Sequence, residues 1–408
     1  MLEDQNRETT IETSARIPKL TSSVHDIAAE KPPFGSRFLT EQSDVWTQNA
    51  WDHVPPPNDQ AETISASLAR QRVAPVPEPE KEKYNAKPAK YWDNFYKTNA
   101  DNFFRDRKWL HLEFPDLLAA AQPDAGDITI CEIGCGAGNT AFPLLLANKN
   151  PKLAIRAFDY SSHAVKLVQA NSLYRDPPVG SIQAAVWDLS CENSLPPGVT
   201  PESVDIVVLV FVLSALHPDE WERAVSNIHR MLKPGGIILL RDYGRYDLTQ
   251  LRFKSGRLLE DNFYIRGDKT RVYFFELDEL ALIFTDARPT SAQKTSNTLE
   301  IVEEGQDGSC DDPLTLSPYS GSRDDQISGG HSPPPEVVIH PSLLRPHPPR
   351  PPFIIEQLGV DRRLLVNRKR QLKMYRVWVQ GKFRKCPFDG GGTLANAMGM
   401  CDAYELEC

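Results

Sequence analysis

Hydrophobic and polar positions follow two periods in the middle of the chain, from about residue 127 to residue 243. Short apolar runs of strand length are followed by amphipathic stretches of helical period. The predicted strands are ITICEI, LAIRAFD, SIQAAVWDL, VDIVVLVFVLSAL and IILLRDYG, and the predicted helices are TAFPLLLANK, SSHAVKLVQANSLY and DEWERAVSNIHRMLKPGG. The fourth run is apolar throughout, as is typical of a central parallel strand. The alternation predicts a doubly wound α/β sheet.

Loss of this periodicity marks the boundaries of the remaining segments. We expect a disordered N-terminus (1–33), an aromatic segment (34–54) followed by a Pro-rich linker up to residue 83, a core that begins with aromatic helices (84–285), a disordered Pro/Ser-rich insertion (286–352), the last two strands (353–383) and a tail (384–408). The insertion precedes the last two strands, so these strands can still close the sheet.

Composition changes this picture only in part. The 408-residue chain has a net charge of −9, which argues weakly against a nucleic-acid binder on average charge alone, but the acids concentrate in tails and linkers. The seven cysteines show no zinc-type spacing, so we expect reduced thiols, no metal and a cytoplasmic location. No uncharged run is long enough to span a bilayer, so no membrane association is expected.

A glycine cluster follows the first predicted strand in ITICEIGCGAGNT (128–140). It lacks the lysine of a phosphate-binding loop, and its third glycine comes one residue early for a dinucleotide-binding loop. Glu132, two residues before Gly134, repels a pyrophosphate but suits a cationic ligand. S-adenosylmethionine is such a ligand, because it carries an amino group and a sulfonium and no phosphate. The alternative is that the glycines only form a tight strand-to-helix turn.

Two further acids follow the next two predicted strands. Asp159 ends LAIRAFD at the distance expected of a carboxylate that binds ribose hydroxyls, and Asp188 in VWDLS fits a contact to the adenine amino group. The loop and both acids, in register with three strands, resemble the class I S-adenosylmethionine-dependent methyltransferases. That resemblance implies a doubly wound, mostly parallel seven-stranded sheet with an antiparallel last strand.

Longer strings point to one family within this class. LLRDYGRYD, NFYIRGDKTRVYFF, FVLSALHPDEW and DRRLLVNRKRQLKMYRVWVQ resemble the tRNA N3-methylcytidine methyltransferases, over most of residues 84–285 and 353–383. The aromatic segment resembles the branch that acts on threonine-type tRNAs. The resemblance implies methylation of cytidine 32 in the anticodon loop. Serine- and arginine-type tRNAs, and an aminoacyl-tRNA synthetase or accessory protein as partner, stay open alternatives.

The same resemblance implies a set of cofactor-binding residues. They are Trp92, Tyr96, Gly134, Gly136, Asp159, Asp188, Leu189 and Val210. Trp92 and Tyr96 are four residues apart and share one face of the predicted helix. Aromatic residues at helical spacing are more often core residues than ligand contacts, which is the alternative interpretation for this pair.

The chemistry requires alignment of the reacting groups rather than a nucleophile–base pair. Cytosine N3 has a neutral in-plane lone pair, so the site needs orientation and a negative or dipolar wall near the cationic product. We take Asp242 as a candidate contact to the cytosine, Tyr243 as a candidate stack on the base, and Arg245 as a further catalytic candidate. The alternative is a structural pair of Asp242 with Arg241 or Arg245.

Two basic runs indicate how the chain holds RNA. The N3 atom lies on the Watson–Crick edge, so the target base must be unpaired and the surrounding phosphates need cationic partners. The predicted RNA-binding residues are Arg252, Lys254, Arg266, Arg271, Arg362, Arg363, Arg368, Lys369 and Arg370. A charged run is more often a solvated face, but these two runs flank one predicted pocket.

Two other functions are alternatives. A methyltransferase for a small molecule or a protein would be the better interpretation if the chain had this core but lacked the basic runs. A cofactor loop that had lost its glycines would support a module that binds tRNA or a synthetase without turnover, but the loop of this chain is intact.

Overall fold

The computed structural model describes residues 39–52, 54, 59–108, 110–192, 194–287, 339–346 and 353–387. The predicted disordered N-terminus (1–33) lies outside these residues, as does the predicted tail from residue 388 onward. Between residues 384 and 387 the last strand continues for two residues beyond the predicted boundary.

A mixed sheet forms the centre of the fold. The strands of the described chain are β1 (Ala50–Asp52), β2 (Ile128–Ile133), β3 (Leu153–Asp159), β4 (Ser181–Val186), β5 (Val204–Val210), β6 (Leu232–Tyr243), β7 (Leu258–Glu260), β8 (Phe263–Ile265), β9 (Arg271–Tyr273), β10 (Phe353–Asn367) and β11 (Leu372–Lys385). Eight of them form the sheet, in the order β1-β10-β11-β6-β5-β2-β3-β4, and β7 to β9 form a small antiparallel sheet. Strands β2 to β6 pair in parallel, whereas β11 is antiparallel to β6 and β10. The predicted class I methyltransferase fold is therefore confirmed.

Helices cover both faces of this sheet. They are α1 (Gln60–Val73), α2 (Glu78–Ala86), α3 (Pro88–Asn99), α4 (Leu110–Glu113), α5 (Pro115–Ala120), α6 (Ala141–Ala147), α7 (Ser162–Ala170), α8 (Ser172–Arg175), α9 (Trp221–Met231), α10 (Leu248–Leu251) and α11 (Leu277–Thr285). Ser161 caps α7, because its hydroxyl accepts the Ala164 N–H at 3.2 Å, and serine is a preferred residue at this position. Within the described residues no helix has both the length and the apolarity needed to cross a membrane.

Alternation along β5 builds the two halves of the core. Val207 and Leu209 belong to one buried cluster, whereas Val208 and Val210 belong to a second. Successive side chains of a strand point to opposite faces, so both faces of β5 are covered. This explains why its sequence is apolar throughout rather than alternating.

The order in which strands are added to the sheet reverses between β4 and β5, so that β3 and β5 lie on opposite sides of β2. From β2 the chain proceeds outward through β3 and β4, and it then returns to the other side of β2 to form β5 and β6. Ligands of such sheets bind in the crevice at the carboxyl ends of the strands, at this switch point. The fold therefore places the glycine loop after β2 and the segment after β5 at the same crevice.

The predicted Pro-rich linker contains helix structure, and this part of the prediction is wrong. Helix α1 is fixed by polar contacts: Gln71 is buried and its amide donates to the carbonyl of Gln250 at 2.8 Å and accepts the Tyr264 hydroxyl at 2.8 Å. The helix buries only three residues, among them Ser67 and Gln71, so its sequence lacks the apolar stripe on which a helix prediction depends.

The aromatic segment adds an eighth strand to the seven that were predicted. Strand β1 pairs antiparallel with β10, with Trp51 opposite Leu364. A three-residue strand carries too few alternating positions to be recognised from its own sequence.

Disorder was predicted for the whole insertion (286–352), and this is wrong for residues 339–346. Pro341–Leu344 forms a 3-10 helix, and Ile339 and His340 before it are buried. The His340 N–H donates to Glu279 at 2.9 Å, and its Nε2 lies 2.9 Å from Glu260. The proline-rich composition conceals this anchor, because its partners are distant in sequence. Residues 288–338 and 347–352 lie outside the described chain.

Candidate active site

A cavity opens at the carboxyl ends of the parallel strands, at the switch point. It encloses about 970 Å³ of space, part of it open to solvent. Eight of the eleven predicted catalytic and cofactor-binding residues line it, together with Arg266 of the predicted RNA-binding set. The eight are Trp92, Tyr96, Gly134, Asp159, Asp188, Leu189, Val210 and Tyr243. Gly136, Asp242 and Arg245 are not in this lining.

The glycine loop has a backbone that only glycine adopts easily. The φ angles are +66° at Gly134, +54° at Gly136 and +88° at Gly138, all in the left-handed region. A Cβ on Gly134 would lie 2.6 Å from Cγ2 of Val212, and a Cβ on Gly136 would collide with the Tyr96 hydroxyl. Gly134 lines the cavity. Gly136 does not line it, but its lack of a side chain lets the Tyr96 hydroxyl pack against the loop.

Asp159 ties the end of β3 to the glycine loop. Its Oδ2 accepts the Gly136 N–H at 2.9 Å, and its Oδ1 accepts the Ser161 N–H at 2.8 Å. Burial raises the pKa of this carboxyl group to about 6. A carboxylate oxygen has two lone pairs, so each oxygen can still accept a hydroxyl from a ligand in the cavity.

Asp188 and Leu189 follow β4 on the same side of the cavity. Asp188 is exposed, and its Oδ1 accepts the backbone N–H and the hydroxyl of Ser190, each at 2.8 Å. Within the described chain no group donates to its Oδ2. Leu189 is buried, and its carbonyl accepts the Asn227 amide at 2.9 Å. The two residues thus present one free acceptor and one apolar surface.

Trp92 and Tyr96 on α3 belong both to the cavity wall and to an aromatic cluster. Their ring centroids are 6.1 Å apart with an angle of 29° between the planes. Phe95 on the same helix packs edge-on against Phe103 at 4.8 Å. The two interpretations of this pair therefore do not exclude each other, because the packing of the cluster holds the rings at the cavity.

Glu132 lies behind the glycine loop rather than in the cavity. It is 2% exposed, and Nη1 of Arg107 lies 3.7 Å from its Oε1. Burial raises the pKa of Glu132 to about 7. The cation that Glu132 faces is therefore a side chain of the protein, and Arg107 itself lines the cavity.

Aromatic and polar groups line the cavity where β6 ends. The rings of Phe211 and Tyr243 are 4.7 Å apart, and the Arg266 guanidinium lies 5.2 Å from the Tyr243 ring. Asp268 and Thr270, from the turn between β8 and β9, complete this wall. Phe211, Asp268, Thr270 and Arg107 were not predicted from the sequence. The polar RGDKT between two apolar runs was the available signal for the turn residues.

Asp242 is buried beneath this wall. Its Oδ2 accepts the Ser214 N–H at 3.0 Å, and its Oδ1 accepts the Tyr243 N–H at 2.8 Å. Burial raises the pKa of this carboxyl group to about 6. Arg245 is also buried and pairs with Glu276 at 3.2 Å, so its predicted place at the reacting atoms is wrong.

The structural pair considered for Asp242 is wrong as well. Arg241 donates to Asp361 and to Gln380, each at 2.8 Å, and Arg245 is occupied by Glu276. The partners of Asp242 are backbone N–H groups, which no charge pattern in the sequence reveals.

The predicted RNA-binding residues fall into three groups. Six are exposed: Arg252, Lys254, Arg362, Arg368, Lys369 and Arg370. Arg266 is half-buried in the cavity wall. Arg271 and Arg363 are buried, so their assignment to the RNA surface is wrong: Arg271 pairs with Glu220 at 3.1 Å, and Arg363 lies 3.4 Å from Asp52.

Metal-ligating side chains do not cluster in the part of the chain that the structure describes. No group of three or more His, Cys, Asp or Glu residues there has the arrangement of a metal site.

Comparison with known proteins identifies similar sequences. A family model described as a methyltransferase domain matches residues 131–238. The chain is 46% identical over 351 residues to the tRNA(Thr) (cytosine(32)-N(3))-methyltransferase of Saccharomyces cerevisiae, a match that covers 86% of this chain and 45% of that protein. It is 40% identical over 368 residues to the tRNA N(3)-methylcytidine methyltransferase trm140 of Schizosaccharomyces pombe, covering 90% of this chain and 97% of that protein.

A vertebrate protein shows the same relationship. The chain is 36% identical over 388 residues to the tRNA N(3)-cytidine methyltransferase METTL2 of Danio rerio, covering 88% of this chain and 90% of that protein. The chain thus spans about half the length of the Saccharomyces protein and most of the length of the other two.

Proposed function

The chain belongs to the family of tRNA N3-cytidine methyltransferases, and we propose that it methylates N3 of cytidine 32 in the anticodon loop of threonine-type tRNAs, with S-adenosylmethionine as the methyl donor. The observation that carries this proposal is the shared cavity. Gly134, Asp159 and Asp188 line it together with Tyr243 and Arg266. A nucleoside-type ligand and a flipped base therefore have adjoining places in one crevice.

The residues of the cavity fit S-adenosylmethionine. Asp159 has acceptor capacity left for ribose hydroxyls, and Oδ2 of Asp188 is available to the adenine amino group. Leu189 and Val210 supply apolar surface for the adenine ring. When bound, this ligand supplies an electrophilic methyl group on a sulfonium.

The reaction needs no base from the protein. The lone pair of cytosine N3 forms the new N–C bond while the C–S bond breaks with its electron pair on sulfur, and no proton moves. The base gains one positive charge. The protein therefore acts by holding the base in line, which we assign to Phe211 and Tyr243, and by excluding water from the cavity with Trp92 and Phe104.

Exposed cations near the aromatic segment support the assignment to tRNA. Arg368, Lys369 and Arg370 form the exposed turn between β10 and β11. Beside this turn, Nζ of Lys373 lies 5.6 Å from the ring centroid of Trp46 in the aromatic segment. The segment that resembles the threonine branch therefore adjoins a cationic surface suited to phosphates.

The expected compartment and protein partners stay predictions. Cys131, Cys135 and Cys191 are free thiols, which supports the reducing cytoplasm. A synthetase or an accessory protein is a partner to be tested with the purified enzyme and tRNA.

The experiment that tests the proposal is methyl transfer from labelled S-adenosylmethionine to bulk tRNA that lacks this modification, followed by nucleoside analysis. We expect N3-methylcytidine in the digest. Transfer to another nucleoside would contradict the N3 assignment and keep the cofactor. Binding of the cofactor without transfer, even after a synthetase is added, would favour a tRNA-binding module without turnover.

A further inference from the structure

We propose that Asp268 recognises the exocyclic N4 amino group of the target cytosine and stabilises the positive charge that the base gains during transfer. This inference rests on the proposed function and deepens it. It assigns to one carboxylate both the selection of cytosine and part of the rate enhancement.

The position of Asp268 in the cavity separates it from the cofactor acids. Asp159 ends β3 and Asp188 follows β4, whereas Tyr243 ends β6 and lines the cavity with Asp268. Strand β6 is three places from β3 and four places from β4 in the sheet. At about 4.8 Å per strand, these separations are roughly 14 and 19 Å. The wall that contains Asp268 therefore lies beyond the nucleoside end of a bound cofactor, where the substrate base belongs.

The carboxylate of Asp268 is oriented and still has a free acceptor. Its Oδ1 accepts the Thr270 N–H at 2.9 Å and the Thr270 hydroxyl at 2.7 Å. No donor from the described residues reaches its Oδ2. Asp268 is half-buried, so this oxygen is accessible to a ligand while the carboxyl plane is held by Thr270.

The turn that carries Asp268 is rigidly placed. The Arg266 N–H donates to the Thr270 carbonyl at 2.8 Å, and the Lys269 N–H donates to the Arg266 carbonyl at 3.0 Å. Arg271, the next residue along, is buried and donates to the Ala215 carbonyl at 3.2 Å and to Glu220 at 3.1 Å. The turn is therefore fixed to the segment after β5, which forms the neighbouring part of the cavity wall.

The other acids near this wall are not available to the base. Both oxygens of Asp242 are engaged by Ser214 and Tyr243 beneath the wall, and Asp242 does not line the cavity. Glu276 pairs with the buried Arg245. Among the described residues that line the cavity at this end, Asp268 is the acid that remains.

The chemistry of the base makes such a carboxylate useful. Cytosine N4 is a donor of two hydrogen bonds, whereas the corresponding oxygen of uracil is an acceptor. After N3 gains the methyl group, the positive charge spreads over N3, C4 and N4, so the N4–H donors become more positive. A hydrogen bond from N4 to Asp268 is therefore stronger in the transition state than in the bound substrate, which is the condition for raising kcat. The negative charge of Asp268 also offsets the positive charge of Arg266, which lines the same cavity.

The test combines one protein variant with one altered base. Asp268→Asn keeps an oxygen for Thr270, replaces the free acceptor by an amide donor and removes the negative charge. A threonine tRNA assembled with pyrimidin-2-one at position 32 keeps the N3 lone pair and lacks the N4 amino group. Single-turnover rates and KM are measured for both enzymes on both tRNAs, together with the Kd for S-adenosylmethionine. Asp261→Asn, in the exposed turn between β7 and β8, is the matched control.

We expect Asp268→Asn to lower the methylation rate on the cytidine tRNA by about 10- to 100-fold, the range for a hydrogen bond to a charged group. The wild-type protein should prefer cytidine over pyrimidin-2-one, and this preference should be about 10-fold or more smaller in Asp268→Asn. Comparing the two preferences cancels the intrinsic reactivity of the two bases. Asp261→Asn should behave as the wild type.

Two results would overturn the inference. One is an equal preference for cytidine in the wild type and Asp268→Asn. The other is a loss confined to the Kd for S-adenosylmethionine, which would assign Asp268 to the cofactor. If the wild type forms no N3-methylcytidine on the cytidine tRNA, the proposed function itself fails, and this inference falls with it.

Discussion

The carboxylate of Asp242 holds the backbone of Ser214, whose N–H it accepts at 3.0 Å, 28 residues away in the sequence. Its second oxygen accepts the N–H of Tyr243 at 2.8 Å. Ser214 and Tyr243 both line the cavity, whereas Asp242 is 1% exposed beneath it. Asp242 therefore shapes the cavity through its two neighbours, although the sequence suggested that it touches the base.

Asp242→Asn should destabilise the protein and slow turnover together. The amide group can accept only one of the two N–H groups and turns a donor toward the other, a loss of about 1–3 kcal/mol in the free energy of unfolding. The segment that contains Phe211 and Ser214 should then shift, which lowers kcat. Urea unfolding and steady-state kinetics check both effects, and near-normal values of both would contradict this role.

The pH dependence of stability gives a second readout on Asp242. Burial raises its pKa from 3.8 to about 6, so the folded state binds the proton more tightly than the unfolded state. Its contribution to stability is therefore fully present below about pH 4 and is lost as the pH rises through 6. The wild type should lose about 2 kcal/mol more than Asp242→Asn between pH 4.5 and 7. Parallel unfolding curves for the two proteins across this range would contradict the buried, ionisable state of Asp242.

Gly134→Ala should weaken the binding of S-adenosylmethionine by about 10-fold or more. The new Cβ would lie 2.6 Å from Cγ2 of Val212, a stiff β-branched side chain of the cavity wall. Gly235→Ala is the matched control, because Gly235 also has a positive φ, +77°, and nothing lies within 4 Å of the added Cβ. Both variants should lose about 1–2 kcal/mol from backbone strain. Calorimetric titration should show a normal Kd for Gly235→Ala only; equal affinity losses would contradict the account of the loop.

The parts of the fold that the sequence predicts are those that repeat an apolar period. In strands such as β5 and in the helices that cover them, the local pattern of apolar residues shows which side chains are buried. The contacts of α1, β1 and residues 339–346 depend instead on single polar partners far along the chain, such as Gln250 for Gln71 and Glu279 for His340. No local pattern carries that information, so α1 was predicted as linker and residues 339–346 as disorder, and β1 was predicted only as part of the aromatic segment.

The residues of the candidate site also divide into those that a local pattern predicts and those whose place depends on distant contacts. Gly134, Asp159 and Asp188 were predictable because strand ends and tight turns fix where they lie. Arg271 and Arg363 resembled surface cations because a basic run does not reveal that Glu220 and Asp52 lie beside them. Asp268 was missed because the short strands around it belong to a separate small sheet.

Adjacent arginines of β10 should respond differently to truncation. Arg363 is buried, 3.4 Å from Asp52 and 3.2 Å from Asp361, whereas Arg362 is exposed. Arg363→Ala removes a buried guanidinium that lies beside both Asp52 and Asp361, although Arg241 stays beside Asp361. The change should cost about 3 kcal/mol of unfolding free energy, and Arg362→Ala should stay within about 0.5 kcal/mol. Chemical denaturation measures both. Similar stabilities of the two variants would contradict a structural role for Arg363.

The turn between β10 and β11 should contribute to tRNA binding through phosphates. Replacing Arg368, Lys369 and Arg370 by alanine should weaken binding and flatten the plot of log K against log salt by up to about 2 to 3, since each phosphate contact contributes about 0.7 to 0.9 to the slope. Alanines at Lys149 and Lys152, exposed before β3 at the amino ends of the strands, serve as the control. Filter binding at several salt concentrations provides the slopes, and an unchanged slope for the triple variant would place the RNA elsewhere.

Site-resolved methyl transfer to a threonine tRNA is the decisive measurement of N3 methylation at cytidine 32. The purified protein is incubated with S-adenosylmethionine and tRNA from cells that lack the modification, and nuclease fragments are analysed by mass spectrometry and nucleoside identity. The expected result is one N3-methylcytidine per tRNA, at position 32, and none on the same tRNA with uridine at that position. Methylation of a different cytidine, or of a different atom of cytidine 32, would contradict it.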